Sequence, residues 1–245
     1  MIRFTPRRWA SSFALLGLLA VANSDAQAGF TQINYANAAR NSHEATHEQI
    51  LEHTYGGNFT ADGVNYSNGS ITVTRIDDNA DQTWTQQIAS ARAVASFAKR
   101  KQAFGYFQGD SGGSFNKLFE VSGSLFDVNG SVNDTNLNGT LRFGRNENVG
   151  KAFSSLASEN RDGKDHLVSY KVTGPDSSQA PTYLLFWEDK WGKNSDFDFN
   201  DLVVEVHTAG EPLLIPLPAA AWSGIAGLGM LGLLTGCKRA RRWIF

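Results

Sequence analysis

The sequence predicts an all-β fold, a β-sandwich of jelly-roll type with one short N-terminal helix. Three observations carry that prediction. Between Gly56 and Val172, short apolar runs alternate with clusters of Gly, Asn, Asp and Ser, the pattern of short strands joined by tight turns. Glycine is abundant at 24 residues while proline is only 6, which suits tight turns rather than a polyproline linker. Two apolar runs, Thr182–Trp187 and Leu202–Val206, read as neighbouring strands, whereas Asn41–His53 is the best helical stretch.

Both ends read as targeting segments. Met1–Trp9 carries Arg3, Arg7 and Arg8, an apolar run follows over Phe13–Ala22, and Ala26-Gln27-Ala28 supplies a small-x-small cleavage pattern. This is the layout of a secretory signal peptide over residues 1–28. At the other end Leu213–Leu234 carries no charge and is long enough to span a bilayer, with Lys238, Arg239, Arg241 and Arg242 directly behind it. The positive-inside rule puts that tail in the cytoplasm and the body outside the inner membrane. Residues 29–211 remain as a single domain and 212–245 as the C-terminal transmembrane segment.

Composition excludes several functions. The net charge is -2 and Lys and Arg are scattered through the body, so no basic stripe exists for nucleic acid. The single cysteine, Cys237, lies in the C-terminal segment, so the body has neither disulfides nor a cysteine-based metal or redox site. An exported domain of this kind must be held by its core or by bound metal.

The helix is predicted to be capped by Ser42, with Glu44 and Glu48 where the helix dipole favours acids and Gly56-Gly57 as its end. Ile50, Leu51 and Tyr55 are the residues expected to pack on the sandwich. His43-Glu44-Ala45-Thr46-His47, with His53 beyond it, also has the spacing of the zinc motif H-E-x-x-H-x-x-G-x-x-H. Ile50 stands where that motif needs the glycine that turns the chain, and no Met-turn follows, because the second methionine, Met230, lies in the C-terminal apolar run. A zinc hydrolase using His43, Glu44 and His47 is the alternative this motif raises.

Further along, Ser67-Asn68-Gly69-Ser70 is a turn leading into a strand over Ser70–Ile76. Ala103–Gln108, Phe115–Ser122, Thr140–Gly144 and His166–Thr173 read as strands, and Ala89–Ala98 as a strand or short helix. Asp127–Asn138, mostly Asn, Asp, Gly and Ser, is expected to form hairpin turns or an exposed loop.

Glu188 to Asp201, between the last two strands, is the candidate site. A connection of this length is uncommon in a compact domain and is usually functional. It carries Glu188, Asp189, Asp196, Asp198 and Asp201 against Lys190 and Lys193. In an extended chain Asp196, Asp198 and Asn200 share one face and Phe197 and Phe199 the other. That phase would put Leu202, Val204 and Val206 on the acidic face, so a bulge or bend near Asn200-Asp201 is required. Asp201 and His207 occupy the glycine and glutamate positions of an EF-hand loop, so this is not an EF-hand. Oxygen-only ligands at this density suit a hard cation, and calcium, with 6–8 oxygens in flexible geometry, is the expected ion. The carboxylates of Asp196, Asp198 and Asp201 should therefore converge. Asp77, Asp78 and Asp81 after one strand, and Asp162 and Asp165 before another, are possible co-ligands, and each cluster also reads as a plain turn.

The string Ser195–Val206, SDFDFNDLVVEV, preceded by FWED at Phe186–Asp189, resembles a bacterial surface domain of unknown function with an S-D-x-D-[FY]-N-D signature. That domain recurs in exported proteins and in calcium-dependent RTX-type adhesins. The resemblance implies a β-sandwich, favours calcium and implies no catalytic residue. Ile215–Trp222, IPLPAAAW, followed by an apolar run and KRARR, resembles the PEP-CTERM class of sorting signals in its V/I-P-L-P-A-A-x-W variant. It lacks the Pro-Glu-Pro core of the main class. This resemblance implies processing by an exosortase-type membrane enzyme of a Gram-negative bacterium. The sequence therefore points to an exported protein of the cell surface or extracellular matrix. It is expected to be anchored in the inner membrane before processing, calcium-stabilised, adhesive or structural, and not an enzyme. Its expected partners are extracellular polysaccharide or surface proteins. A carbohydrate-binding module of the matrix, with Trp84 or Trp191 stacking on sugars, is the rival reading.

Overall fold

Thr182–Trp187 and Leu202–Thr208 carry apolar side chains at successive rather than alternate positions, which is the mark of strands buried on both faces. A computed structural model of the chain describes residues 29–34, 44–147, 152–174 and 181–209. The signal peptide and C-terminal segment expected from the sequence lie outside the described residues. No helix among those residues is long and apolar enough to cross a membrane.

The elements, in chain order, are helix α1 (His47–Tyr55) and strands β1 (Thr60–Asp62), β2 (Asn65–Ser67), β3 (Thr72–Arg75), β4 (Ile88–Ala95) and β5 (Gln102–Gln108). They continue with β6 (Phe115–Ser124), β7 (Asp127–Asn129), β8 (Ser131–Leu137), β9 (Leu141–Asn146), β10 (Ala152–Ser154), β11 (Leu167–Thr173), β12 (Thr182–Trp187) and β13 (Leu202–Thr208). An 8-stranded sheet has the order β1-β2-β3-β11-β12-β13-β4-β8, and a 5-stranded sheet the order β10-β9-β5-β6-β7. The pairings among the described residues are antiparallel, so that part of the chain is all-β with one α-helix, as expected.

Two cores explain the unbroken apolar runs. Tyr183, Leu185 and Trp187 of β12, with Leu202, Val204 and Val206 of β13, meet Phe104, Phe119 and Phe143 of the smaller sheet. The intervening Leu184, Phe186 and Val203 face the other way, onto Ile50 and Leu51 of α1 together with Phe59 and Phe199. The larger sheet is thus covered by the smaller sheet on one face and by the helix layer on the other. Truncating a fully buried side chain such as Phe186 would cost about 3–5 kcal/mol.

Two expectations are corrected and one alternative is decided. The helix begins at His47, one turn later than expected, because Thr46 caps it. The Thr46 hydroxyl accepts from the Gln49 amide while the Gln49 side chain accepts from the Thr46 amide. The predicted end stands: Gly56 has φ 74 and its amide donates to the Glu52 carbonyl. Asp127–Asn138 is largely strand, because Val128, Val132 and Leu137 pack on the inter-sheet core and β8 pairs with β4 at the sheet edge. Its polar residues suit that edge, where one side has no neighbouring strand. Of Ala89–Ala98, compatible with strand or short helix, the part up to Ala95 is strand in β4, inside the larger sheet.

Candidate metal centre

Glu188 directly follows β12 and Asp201 directly precedes β13, and the register pairs Trp187 with Leu202. The ends of the acidic connection are therefore brought together by strand pairing alone. The loop folds back between them through a short 3-10 turn, Gly192–Asn194. Phe197 and Phe199 then adopt left-handed backbone conformations, with φ 58 and 54. Each such conformation at a bulky residue costs about 1–3 kcal/mol, so the surroundings must impose it. The bend therefore lies at the two phenylalanines, earlier than the expected bulge near Asn200-Asp201, and an extended Asp196–Asn200 segment is not what forms.

The neighbours that impose this bend can be named. Phe199 is fully buried in the helix-side core. The Phe197 amide donates to Glu188 Oε2 at 3.0 Å, and its carbonyl accepts from the Asn34 amide at 2.8 Å. Lys164 Nζ lies 4.9 Å from the centre of the Phe197 ring. Glu188 Oε1 accepts from the Lys190 amide, and Asp201 Oδ2 from the Asp189 amide. On the far side, the Asp201 carbonyl accepts from Ser96 Oγ and Gln102 Nε2.

This framework brings Glu188, Asp196, Asp198 and Asp201 together. One carboxylate oxygen from each lies within 4.8 Å of the others, close enough for a single ion to touch all four. The expected convergence of Asp196, Asp198 and Asp201 is present, with Glu188 as the fourth member. Asp198 is only 3% exposed, and its Oδ2 is buried without a hydrogen-bond donor. The nearest cation is Lys190, whose Nζ is 2.8 Å from Asp196 Oδ2.

The electrostatics follow from burial and crowding. Burial, then the Asp196 charge, pushes Glu188 up to about 7. Burial, then Asp196, Glu188 and Glu44, does the same for Asp198, also to about 7. Asp201 is raised well above the usual carboxylate range by burial and then by Asp189 and Glu188. Burial pulls the Lys190 ammonium down, but Asp196, Asp201 and Asp189 outweigh it and hold its pKa above the usual lysine value. One lysine leaves most of the charge on four clustered carboxylates unopposed, and a divalent cation would offset two further charges. The donor set is oxygen only, as hard cations require.

The remaining predicted ligands do other things. Asp189 lies outside the group of four, with Oδ1 buried and without a donor. Asn200 is buried, and its Nδ2 donates to the Ala45 carbonyl at 3.0 Å, tying the loop to the start of the helix layer. Asp162 Oδ2 accepts from the Gly192 amide, and Asp162 also meets His166, so it braces the loop from outside. Asp77 holds the Gly29 and Asn79 amides. Asp78 pairs with Arg75, and Asp81 accepts from Ser169 Oγ. Asp165 accepts from the Leu167 amide. None of Asp77, Asp78, Asp81, Asp162 and Asp165 joins the four carboxylates.

The zinc arrangement fails at His47, because both ring nitrogens are engaged. Nε2 lies 2.9 Å from the Asp198 carbonyl and Nδ1 3.0 Å from the Tyr170 hydroxyl, with the ring 1% exposed. His53 is exposed and stacks on Phe126. His43 lies outside the described residues.

Sequence reading missed the role of His47, since nothing marks a helix histidine as the support of a distant loop. It also missed Phe97, Lys99 and Arg100, which line an open cleft of about 520 Å³ against Asp189, Asp196 and Asp201.

The comparisons bear on the same region. Residues 123–209 match the family model DUF4114, a domain of unknown function. The DUF4114 match takes in β7 to β13 and all four clustered carboxylates, while α1 and β1 to β5 precede it. No curated protein matches the sequence. Among solved structures, the Chromobacterium violaceum lectin CV2L in complex with alpha-methyl-fucoside aligns at 15% identity, over 55% of this chain and 92% of that one, with a TM-score of 0.30. At that score the likeness carries no argument.

Proposed function

We propose that this chain is an exported cell-surface or matrix protein whose β-sandwich is stabilised by calcium and whose role is structural or adhesive, without chemistry of its own. The observation that carries the reading is the convergence of Glu188, Asp196, Asp198 and Asp201 within the reach of one ion, with a buried Asp198 oxygen that has no donor. Calcium suits the set because it accepts irregular oxygen spheres, whereas magnesium demands near-ideal octahedral geometry. Held by these four residues, the ion would offset half of their charge, relieve their mutual repulsion and fasten the loop ends to β12 and β13.

Export and anchoring rest on the N-terminal Arg-rich and apolar segments and on the uncharged C-terminal run with its basic tail. Exosortase-type processing rests on the IPLPAAAW motif. The reading has a direct test in thermal melts of the purified protein with calcium and with EGTA. Calcium is expected to raise the melting temperature of the wild type and to leave Asp198→Asn unmoved. An unchanged wild-type melt would sink the proposal. Following the C-terminus in cells tests the sorting signal, since a tail that stays attached means a plain anchor.

A further inference from the structure

Asp196 and Asp201 belong both to the four-carboxylate group and to the lining of the cleft. An ion held by the group would therefore sit in the cleft wall. Calcium takes about 6–8 oxygens, so four carboxylates leave positions for oxygens from outside the protein, on the side that opens to the cleft. From these facts we infer that the cleft binds a neutral saccharide through the cation, two adjacent sugar hydroxyls completing the ion's coordination. The inference rests on the calcium reading above.

Three features of the cleft favour this class of ligand. Its volume, about 520 Å³, falls in the roughly 300–1,000 Å³ range of small-ligand sites. Phe97 and Trp191 provide aromatic wall, and the Trp191 ring is fixed by a stack on Phe153 with centroids 4.1 Å apart. A rigid indole suits the apolar C–H face of a sugar at little ordering cost. The charge balance points away from anions. Five acidic side chains line the cleft against Lys99, Arg100 and Lys190, and two of those bases are already paired, Arg100 with Glu147 and Lys190 with Asp196. A divalent ion brings the lining to neutrality without leaving an excess of positive charge.

The test is retention of the purified full-length protein on immobilised mannan, dextran and galactan, in calcium and in EGTA. Retention on at least one of them in calcium, abolished by EGTA, is expected. Trp191→Ala should weaken it about tenfold, the worth of one aromatic contact. Asn194→Arg, at an exposed cleft residue, should block it while keeping the calcium-induced rise in melting temperature, so the test survives if the tryptophan variant misfolds. A calcium-induced rise with no retention on any of the three overturns the inference and leaves the calcium reading standing. Retention that persists in EGTA also overturns it. No rise in melting temperature overturns the calcium reading and the inference with it.

Discussion

His47 Nε2 lies 2.9 Å from the carbonyl oxygen of Asp198, so a helix side chain holds the backbone of a loop residue whose own carboxylate faces the acidic cluster. A carbonyl can only accept, so Nε2 carries the proton and Nδ1 accepts from the Tyr170 hydroxyl. Neutral His47 is the form that fits. Burial, with only partial opposition from the Asp198 hydrogen bond, lowers its pKa to about 3.

Replacing His47 with Ala should cost about 2–4 kcal/mol, from two buried hydrogen bonds and the cavity left behind. Denaturant melts measure that loss. Calcium titration of the same variant should show weaker binding, because Asp198 loses its backbone support.

Acid should weaken the wild type through the same ring. The folded pKa is depressed, so the contribution is complete above the unfolded value of 6.5 and is lost as pH falls toward about 3. By pH 5 the loss should reach about 2 kcal/mol. The difference between wild type and His47→Gln in EGTA melts from pH 7 to 5 isolates this contribution from the opposing slope of Glu188 and Asp198.

Asp198→Asn should separate the carboxylate's two effects. Without calcium it should melt higher than the wild type at pH 8, by about 1–3 kcal/mol, because a buried charge with an undonated oxygen has been removed. With calcium it should gain nothing. A variant less stable than the wild type in EGTA would contradict the electrostatic account of the cluster.

The calcium response should grow with pH. In the metal-free protein burial and the neighbouring carboxylates push Glu188 and Asp198 up to about 7, well above the usual carboxylate range. Raised folded values stabilise below the unfolded pKa, and that stability is lost as pH rises through about 7. Melting temperatures in EGTA should therefore fall on going from pH 5 to 8, while calcium, which binds the ionised form, holds them up. The difference between the two curves is the measurement.

Glu205 offers a control away from the cluster. Tyr55 Oη donates to its Oε1 at 2.7 Å, and Arg92 Nε meets its Oε2. Burial raises its pKa, but hydrogen bonds from His207, Arg92 and Tyr55 prevail and set it at about 2. Its contribution is present above the unfolded value of 4.5 and lost as pH falls toward 2. Glu205→Gln should cost about 2–3 kcal/mol at neutral pH, converge with the wild type in acid and leave the calcium shift intact.

The β-rich class, the strand pair flanking the acidic loop and the convergence of its aspartates were legible because short-range pattern encodes them. Unbroken apolar runs mark β12 and β13, strands buried on both faces, and carboxylate density marks the loop between. Thr46 is hidden as the cap because Ser42 offers the same chemistry one turn earlier. The strand at Ser131–Leu137 was hidden by the polar composition that an edge tolerates. The left-handed Phe197 and Phe199 were illegible, since no propensity favours phenylalanine there. Contacts from Asn34, His47 and the helix-side core hold that conformation, and those are distant in sequence. The cleft was hidden for the same reason, being assembled from Phe97–Arg100 and a loop nearly a hundred residues later.

The position of β13 between β12 and β4 has a mechanical consequence. Gly29 is held at Asp77 and Asp78, toward the end of the larger sheet where β11 begins, whereas the chain leaves β13 at Thr208, at the opposite end. Tension applied between those two points runs along the strands. The hydrogen bonds joining β13 to its two neighbours then share the load in shear and yield together, where a hairpin peeled from an edge would open one rung at a time.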